Sequence, residues 1–160
     1  MKKEKWDGKS RPSTDKYRDN YDLILIDLPP SLNTIVSSAI LGSNQIIIPT
    51  TAGRYALKGV NVAMREISEI SEKFEIDEPK ASILFNMFDA RKNSCKEYLG
   101  ALLESHKDKL MGTFLGSSTL IENVRDGDLD FLLTGRKSNE KSDIFDMAKE
   151  VLNFSEGVKS

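Results

Sequence analysis

The sequence predicts an α/β fold, a mostly parallel sheet with helices on both faces. Residues 23–26 and 45–48 are short apolar runs without polar alternation, the pattern of strands buried on both faces. Between the second run and another at 81–87, residues 57–74 carry an apolar stripe at helical spacing. Strands alternating with helices in this way imply right-handed crossovers and parallel neighbours.

The totals bound what such a fold can do. The 160 residues carry a formal net charge of −2 and a pI near 5.5, so no global basic field argues for nucleic acid. A chain of this length suits one domain that buries roughly 70% of its unfolded surface. Cys95 is the single cysteine, which excludes an internal disulfide and fits a reducing compartment. With one histidine as well, no Cys/His zinc site can be assembled. His106 reads as a surface helix residue rather than a base. No apolar run approaches a membrane span and the first residues lack a signal-peptide core. A soluble, cytoplasmic chain is the expectation.

Taken in order, residues 1–16 are charged, lack apolar periodicity and read as a disordered arm. Residues 17–154 read as the α/β domain and 155–160 as a frayed tail. Gly8-Lys9-Ser10 has the ending of a phosphate-binding loop. It lacks the strand and glycine that should precede it, and Arg11-Pro12 follows where a helix should open. The apolar run 23–26 ends on Asp27, and Pro29-Pro30 stop the strand because proline donates nothing to a ladder. Ser31 or Asn33 can cap a helix over 33–41, with Gly42 as its stop.

The second strand ends at Pro49, and a polar loop follows over 50–54. In the helix over 57–74, Leu57, Val60, Met64, Ile67 and Ile70 share one stripe, while Arg65, Glu66, Glu69, Glu72 and Lys73 lie off it. Pro79 precedes the third strand. Asp89-Ala90-Arg91 begins a loop into a helix near 94–105, and 110–115 forms a shorter fourth strand. Thr119 and Glu122 have capping-box spacing, and Asp126-Gly127-Asp128 turns the chain. A last helix over 142–154 gathers Ile144, Met147, Ala148, Val151 and Leu152 on one side.

Asp27 is the first candidate site residue. It is expected at the carboxyl end of an inner strand, where open α/β sheets bind ligands. A carboxylate there suits Mg²⁺, held through a water beside a nucleotide's phosphates. It equally suits an Asp that caps the next turn.

Tyr21-Asp22-Leu-Ile-Leu-Ile-Asp27-Leu-Pro29-Pro30-Ser31 resembles the Walker B segment of the ParA/Soj/MinD family of deviant-Walker ATPases. Ile48-Pro49 followed by Tyr55-Ala56-Leu57-Lys58-Gly59 resembles that family's next strand, loop and helix. Phe85-Asn86-Met87-Phe88-Asp89-Ala90-Arg91 resembles its Thr-Met-Phe-Asp-Ala-Arg stretch. Three segments in the right order, within a match from about 17 to 154, resemble the ParA partition branch most. The resemblance implies a P-loop NTPase-like fold, incomplete at the N-terminus. It also implies a homodimeric, nucleoid-associated ATPase that binds Mg-ATP and nonspecific DNA and answers to a centromere-binding partner.

Carried over by position, Asp27 matches the Mg²⁺-side aspartate, and Pro29 and Pro30 match the switch segment that reports the γ-phosphate. Asn86 matches an adenine contact, although Asn at a strand end is also an ordinary turn residue. Two departures stand beside these matches. Nothing before 21 supplies the family's Lys-Gly-Gly-x-Gly-Lys-Thr loop or its water-positioning aspartate, and those groups supply most of phosphoryl-transfer catalysis. The chain therefore looks like a C-terminal portion, not catalytic alone, or like a non-enzymatic module that binds a partition partner or a full-length ParA subunit. Gly116 and Thr119 stand where the family has DNA-contacting arginines, which leaves nonspecific DNA a doubtful partner. Arg125, Arg136, Lys137 and Lys141 offer a replacement patch or a merely solvated surface.

Overall fold

The structure is a computed structural model that describes residues 17, 20–29, 34–117 and 139–156. Its elements run α1 (Thr34–Gly42), β1 (Gln45–Thr50), α2 (Ala56–Phe74), β2 (Lys80–Phe85), α3 (Asn93–His106) with a 3₁₀ turn at Lys107–Lys109, and α4 (Asn139–Glu156). The expected arm at 1–16, Pro30, the cap residues Ser31 and Asn33, the region 118–138 with Thr119, and 157–160 lie outside the described residues.

β1 and β2 are neighbours, and their register is parallel. The Lys80 N–H donates to the Asn44 carbonyl at 3.0 Å and the Asn86 N–H to the Thr50 carbonyl at 2.8 Å. Residues of the opposite parity in β2 bond the other way. The Ile83 carbonyl accepts from the Met111 N–H and the Phe85 carbonyl from the Leu115 N–H, both at 2.9 Å. Residues 110–116 therefore flank β2 on its second edge, with parallel bridges Ile83–Leu110 and Phe88–Gly116. Helices alternating with parallel strands make this an α/β fold, as expected.

Two boundaries differ from expectation for reasons visible in the ladder. Pro49 lies inside β1 and does not end it. In a parallel pair one residue in two faces a given neighbour, and Asn44 and Thr50 are the ones that face β2. Pro49 has the other parity, so its missing N–H falls on the edge away from β2 and costs no bond there. Residues 110–116 form no continuous strand because the Gly112 and Thr113 amides leave the ladder. They donate instead to the Glu150 carboxylate of α4, at 2.8 and 3.0 Å.

The larger correction concerns 23–26. Residues 21–29 belong to no helix or strand, and Leu23, Ile24, Leu25 and Ile26 are 43, 37, 77 and 44% exposed. An inner strand exists only where neighbours on both edges satisfy its N–H and C=O groups and both faces are covered. The apolar run meets the compositional condition, but no described strand meets the pairing one.

The chain divides into two compact units, Met1–Ile46 with Val62–Lys80 and Ile47–Asn61 with Ala81–Ser160. In the first, Ile40, Ile67 and Ile70 are buried, and the buried Ser71 hydroxyl donates to the Ile67 carbonyl at 2.8 Å. In the second, Ile83, Phe85 and Leu102 are fully buried, with Met111, Cys95 and Tyr98 nearly so.

The end of α2 shows how the sequence tolerates an imperfect residue. The Ile76 N–H reaches the Ser71 carbonyl at 3.0 Å and the Glu75 N–H the Glu72 carbonyl at 3.2 Å, which is a Schellman stop. Glu75 occupies its left-handed position at φ 53°, where glycine carries no Cβ penalty. Glu75→Gly is expected to stabilise the protein by about 0.5–1 kcal/mol, read as a rise in the urea midpoint. An unchanged or lower midpoint would contradict this account of the helix end.

Candidate functional site

The second unit gathers the carboxyl ends of its parallel segments. β1 ends at Thr50, β2 passes into Asn86, and the 110–116 segment ends at Gly116. Thr50 is buried, and its hydroxyl lies 2.6 Å from the Tyr98 hydroxyl of α3. Burial pushes the Tyr98 phenol above its ordinary pKa, and the bond with Thr50 opposes part of that rise. Phe85 meets Phe88 and Tyr98 edge-on, with centroids 5.2 and 5.3 Å apart. Phe114 tilts against Phe85 and Phe88 at 5.8 and 5.2 Å. Edge-to-face geometry of this kind adds attraction to the area each ring buries.

The turn after β2 is fixed by side chains. The Asn86 amide oxygen accepts the Met87 N–H at 2.9 Å, and Met87 takes φ 54°. The Phe88 N–H donates to the Leu115 carbonyl at 2.9 Å. Asp89 then accepts the Arg91 backbone N–H at 3.0 Å. Both its oxygens also take the guanidinium fork of Arg91, at 2.9 and 3.0 Å.

Hydrogen bonds from the Arg91 side chain, then its backbone, hold the Asp89 carboxyl down at about 2. A lowered carboxyl stabilises the turn above the ordinary carboxylate range, and that contribution is lost as pH falls through about 2. The same pairing pushes the Arg91 pKa up. Arg91 thus serves its own turn as a clamp. The sequence announces only the start of a loop here; the Asp-x-Arg spacing, with an Asp that favours turns of this kind, is the signal that could have found the clamp.

The expected site residues fall in different places. Asn86 is half-buried at the end of β2, where it was expected. Asp27 and Pro29 belong to the exposed segment 21–29, so Asp27 does not sit at the tip of a strand. Mg²⁺ beside phosphates needs only one or two protein carboxylates, and Asp27 suits that donor set chemically. No strand neighbour among the described residues fixes its direction. Among the described residues, no three His, Cys, Asp or Glu side chains converge as a metal cluster.

Gly116 is not required by crowding, since a Cβ there would meet only the Phe88 carbonyl oxygen at 3.9 Å. His106 lies on α3 with Nε2 2.6 Å from the Asn61 Oδ1 of α2, a bond between helices. Neither the Thr50–Tyr98 pair nor the left-handed backbone of Met87 was foreseen in the sequence, where nothing in composition or periodicity separates these residues from ordinary core and turn residues.

Parallel strands joined through helices, with chemically furnished turns at the strand ends, are consistent with a P-loop NTPase-like α/β fold. A family model described as an AAA domain matches residues 11–78. The chain is 26% identical over 134 residues to the sporulation initiation inhibitor protein Soj of Bacillus subtilis (strain 168), covering 84% of this chain and 53% of that protein. It is 24% identical over 140 residues to the chromosome-partitioning ATPase Soj of Treponema pallidum (strain Nichols), covering 84% and 53%. A shorter match, 34% identical over 73 residues, relates it to the chromosome partitioning protein ParA of Myxococcus xanthus (strain DK1622), covering 46% and 26%.

These matches support a ParA/Soj-type family for this chain. It spans about half the length of the curated relatives it matches. Among the described residues, no helix is long and apolar enough to cross a membrane.

Proposed function

We propose that this chain is the C-terminal portion of a ParA/Soj-type partition ATPase that segregates a plasmid or chromosome and binds Mg-ATP when intact. The observation that carries this reading is the match to Soj relatives over 84% of the chain. In this reading residues 17–154 are the partial NTPase-like domain. Asp27 holds Mg²⁺ through a water, Pro29 and Pro30 belong to the switch that reports the γ-phosphate, and Asn86 contacts the adenine. Bound Mg²⁺ supplies neutralisation of phosphate charge. A centromere-binding protein and a second ParA subunit are the partners, and no duplex contact is assigned to Gly116 or Thr119.

The same reading makes the chain inactive by itself. Phosphoryl transfer depends on backbone amides and lysines placed around the phosphates, and no stretch of this sequence matches the family's loop that carries them. Turnover of Mg-ATP by the purified chain is expected at the buffer background and unchanged by Asp27→Ala. Hydrolysis above background that Asp27→Ala abolishes would overturn this expectation. A second reading, a non-enzymatic module that binds a full-length ParA subunit, draws support from the exposed apolar residues 23–26.

A further inference from the structure

Where two strands pair in parallel, a step of two residues along one is matched by a step of two along the other. The second edge of β2 breaks that rule. The Ile83 carbonyl accepts from the Met111 N–H and the Phe85 carbonyl from the Leu115 N–H. From Ile83 to Phe85 is a step of two, whereas from Met111 to Leu115 is a step of four. The segment therefore takes up two residues more than the ladder needs. A smaller mismatch follows on the β2 side. A regular ladder would have the Leu115 carbonyl accept from residue 87, but it accepts from the Phe88 N–H. Met87 lies at that extra position with φ 54°, as in a bulge.

The excursion between Met111 and Leu115 is held from outside the sheet. The Gly112 N–H donates to Oε1 of Glu150 at 2.8 Å and the Thr113 N–H to Oε2 at 3.0 Å. Hydrogen bonds to an ionised carboxylate are among the stronger ones in proteins. A Cβ on Gly112 would meet only those same two oxygens, at 3.9 Å.

What the excursion positions is Phe114, whose ring lies against Phe85 and Phe88 at 5.8 and 5.2 Å. Drawn flat into the ladder, the segment would place Thr113 at the station of Leu115. Gly112 would then stand at that of Phe114, and Phe114 at that of Gly116, beside Phe88. Side chains alternate with a period of two, so an advance of two residues keeps each one on its own face. The segment thus has two discrete registers, about 6.6 Å apart along the strand.

We propose that Glu150 is a register latch. By holding the Gly112 and Thr113 amides off the ladder, its carboxylate selects the register in which Leu115 answers Phe85 and Gly116 stands beside Phe88. Withdrawing it lets the segment beyond Met111 advance by two residues. Glu150 is a positioning residue that acts on the strand end from 38 positions away. A displacement of α4 is thereby converted into a stepwise change in which residues stand beside the turn after β2. The latch makes no use of the nucleotide reading above and holds with or without it.

The test uses the full chain labelled with ²H, ¹³C and ¹⁵N, and couplings transmitted through hydrogen bonds from amide nitrogens to carbonyl carbons. In the unaltered protein the Phe85 carbonyl is expected to couple to the Leu115 amide. Glu150→Gln offers one acceptor oxygen and an NH₂ that cannot accept. In that variant the Phe85 coupling is expected to pass from Leu115 to Thr113. Nuclear Overhauser contacts of the Phe114 ring with Phe85 should fall several-fold while those with Phe88 persist. Gly112→Ala, which leaves room for the carboxylate, should keep the unaltered pattern. A carboxylate that merely stabilised α4 would lower the melting temperature of Glu150→Gln without changing the partner of Phe85, and that result would overturn the latch. Loss of the Leu115 coupling with no Thr113 coupling in its place, by fraying or by unfolding, would overturn it as well. So would a Thr113 coupling to Phe85 already present in the unaltered protein.

Discussion

Phe85→Ala is expected to destabilise the protein by about 3–5 kcal/mol, the range for removing a fully buried phenylalanine. Its exposure is 0%, so the whole ring is lost to packing. Three other rings lean on it: Phe88, Tyr98 and Phe114, at centroid distances of 5.2, 5.3 and 5.8 Å. Each edge-to-face partner adds to the area term, and truncation leaves a cavity lined by rings that relax poorly. The Phe85 carbonyl also accepts the Leu115 N–H, so a shift of this backbone would carry the 110–116 segment with it. Urea unfolding followed by far-ultraviolet circular dichroism measures the loss. Phe88→Ala, at a half-buried position, should cost clearly less. A Phe85→Ala loss below about 1 kcal/mol would mean that the ring cluster is not a packed core.

What could be read from the sequence was whatever depends on neighbours along the chain. The α2 stripe is such a case: Val60, Ile67 and Ile70 are buried at the spacing that announced them. β2 is another, since Pro79 and a short, largely apolar run set it without reference to partners. The run 23–26 marks the limit. Its composition describes a strand buried on both faces, yet a strand is a relation between segments, and no described segment supplies the other half of the ladder.

The site divides the same way. Asn86 was singled out by the family resemblance, and its position just after β2 is the part a local signal also gives, a turn-forming residue at the end of an apolar run. The strained φ of Met87 was not legible, because methionine is the wrong residue for it and only the bonds at Asn86 and Phe88 explain it. The Gly112–Glu150 contact spans 38 positions, beyond the reach of any periodicity.

The Thr50–Tyr98 pair, 48 positions apart, is another contact of that kind, and it should behave as a coupled unit. Both residues are buried, at 8 and 7% exposure. Thr50→Val would strand the Tyr98 hydroxyl, and Tyr98→Phe would strand the Thr50 hydroxyl. Leaving a buried polar group without its partner costs about 1–3 kcal/mol in each case. Thr50→Val combined with Tyr98→Phe removes both groups together, so its loss is expected to fall short of the sum by about 1 kcal/mol or more.

The pH dependence supplies a second readout. Burial holds the Tyr98 pKa above its ordinary value, so the folded state binds this proton more tightly than the unfolded chain does. The corresponding stability is fully present below about pH 10 and is lost as pH rises past it. Tyr98→Phe should flatten that alkaline decline, whereas Thr50→Val should leave it in place, because the desolvated phenol remains. Simple additivity of the two substitutions, or an alkaline decline that survives Tyr98→Phe, would show that the hydroxyl pair does not join β1 to α3 energetically.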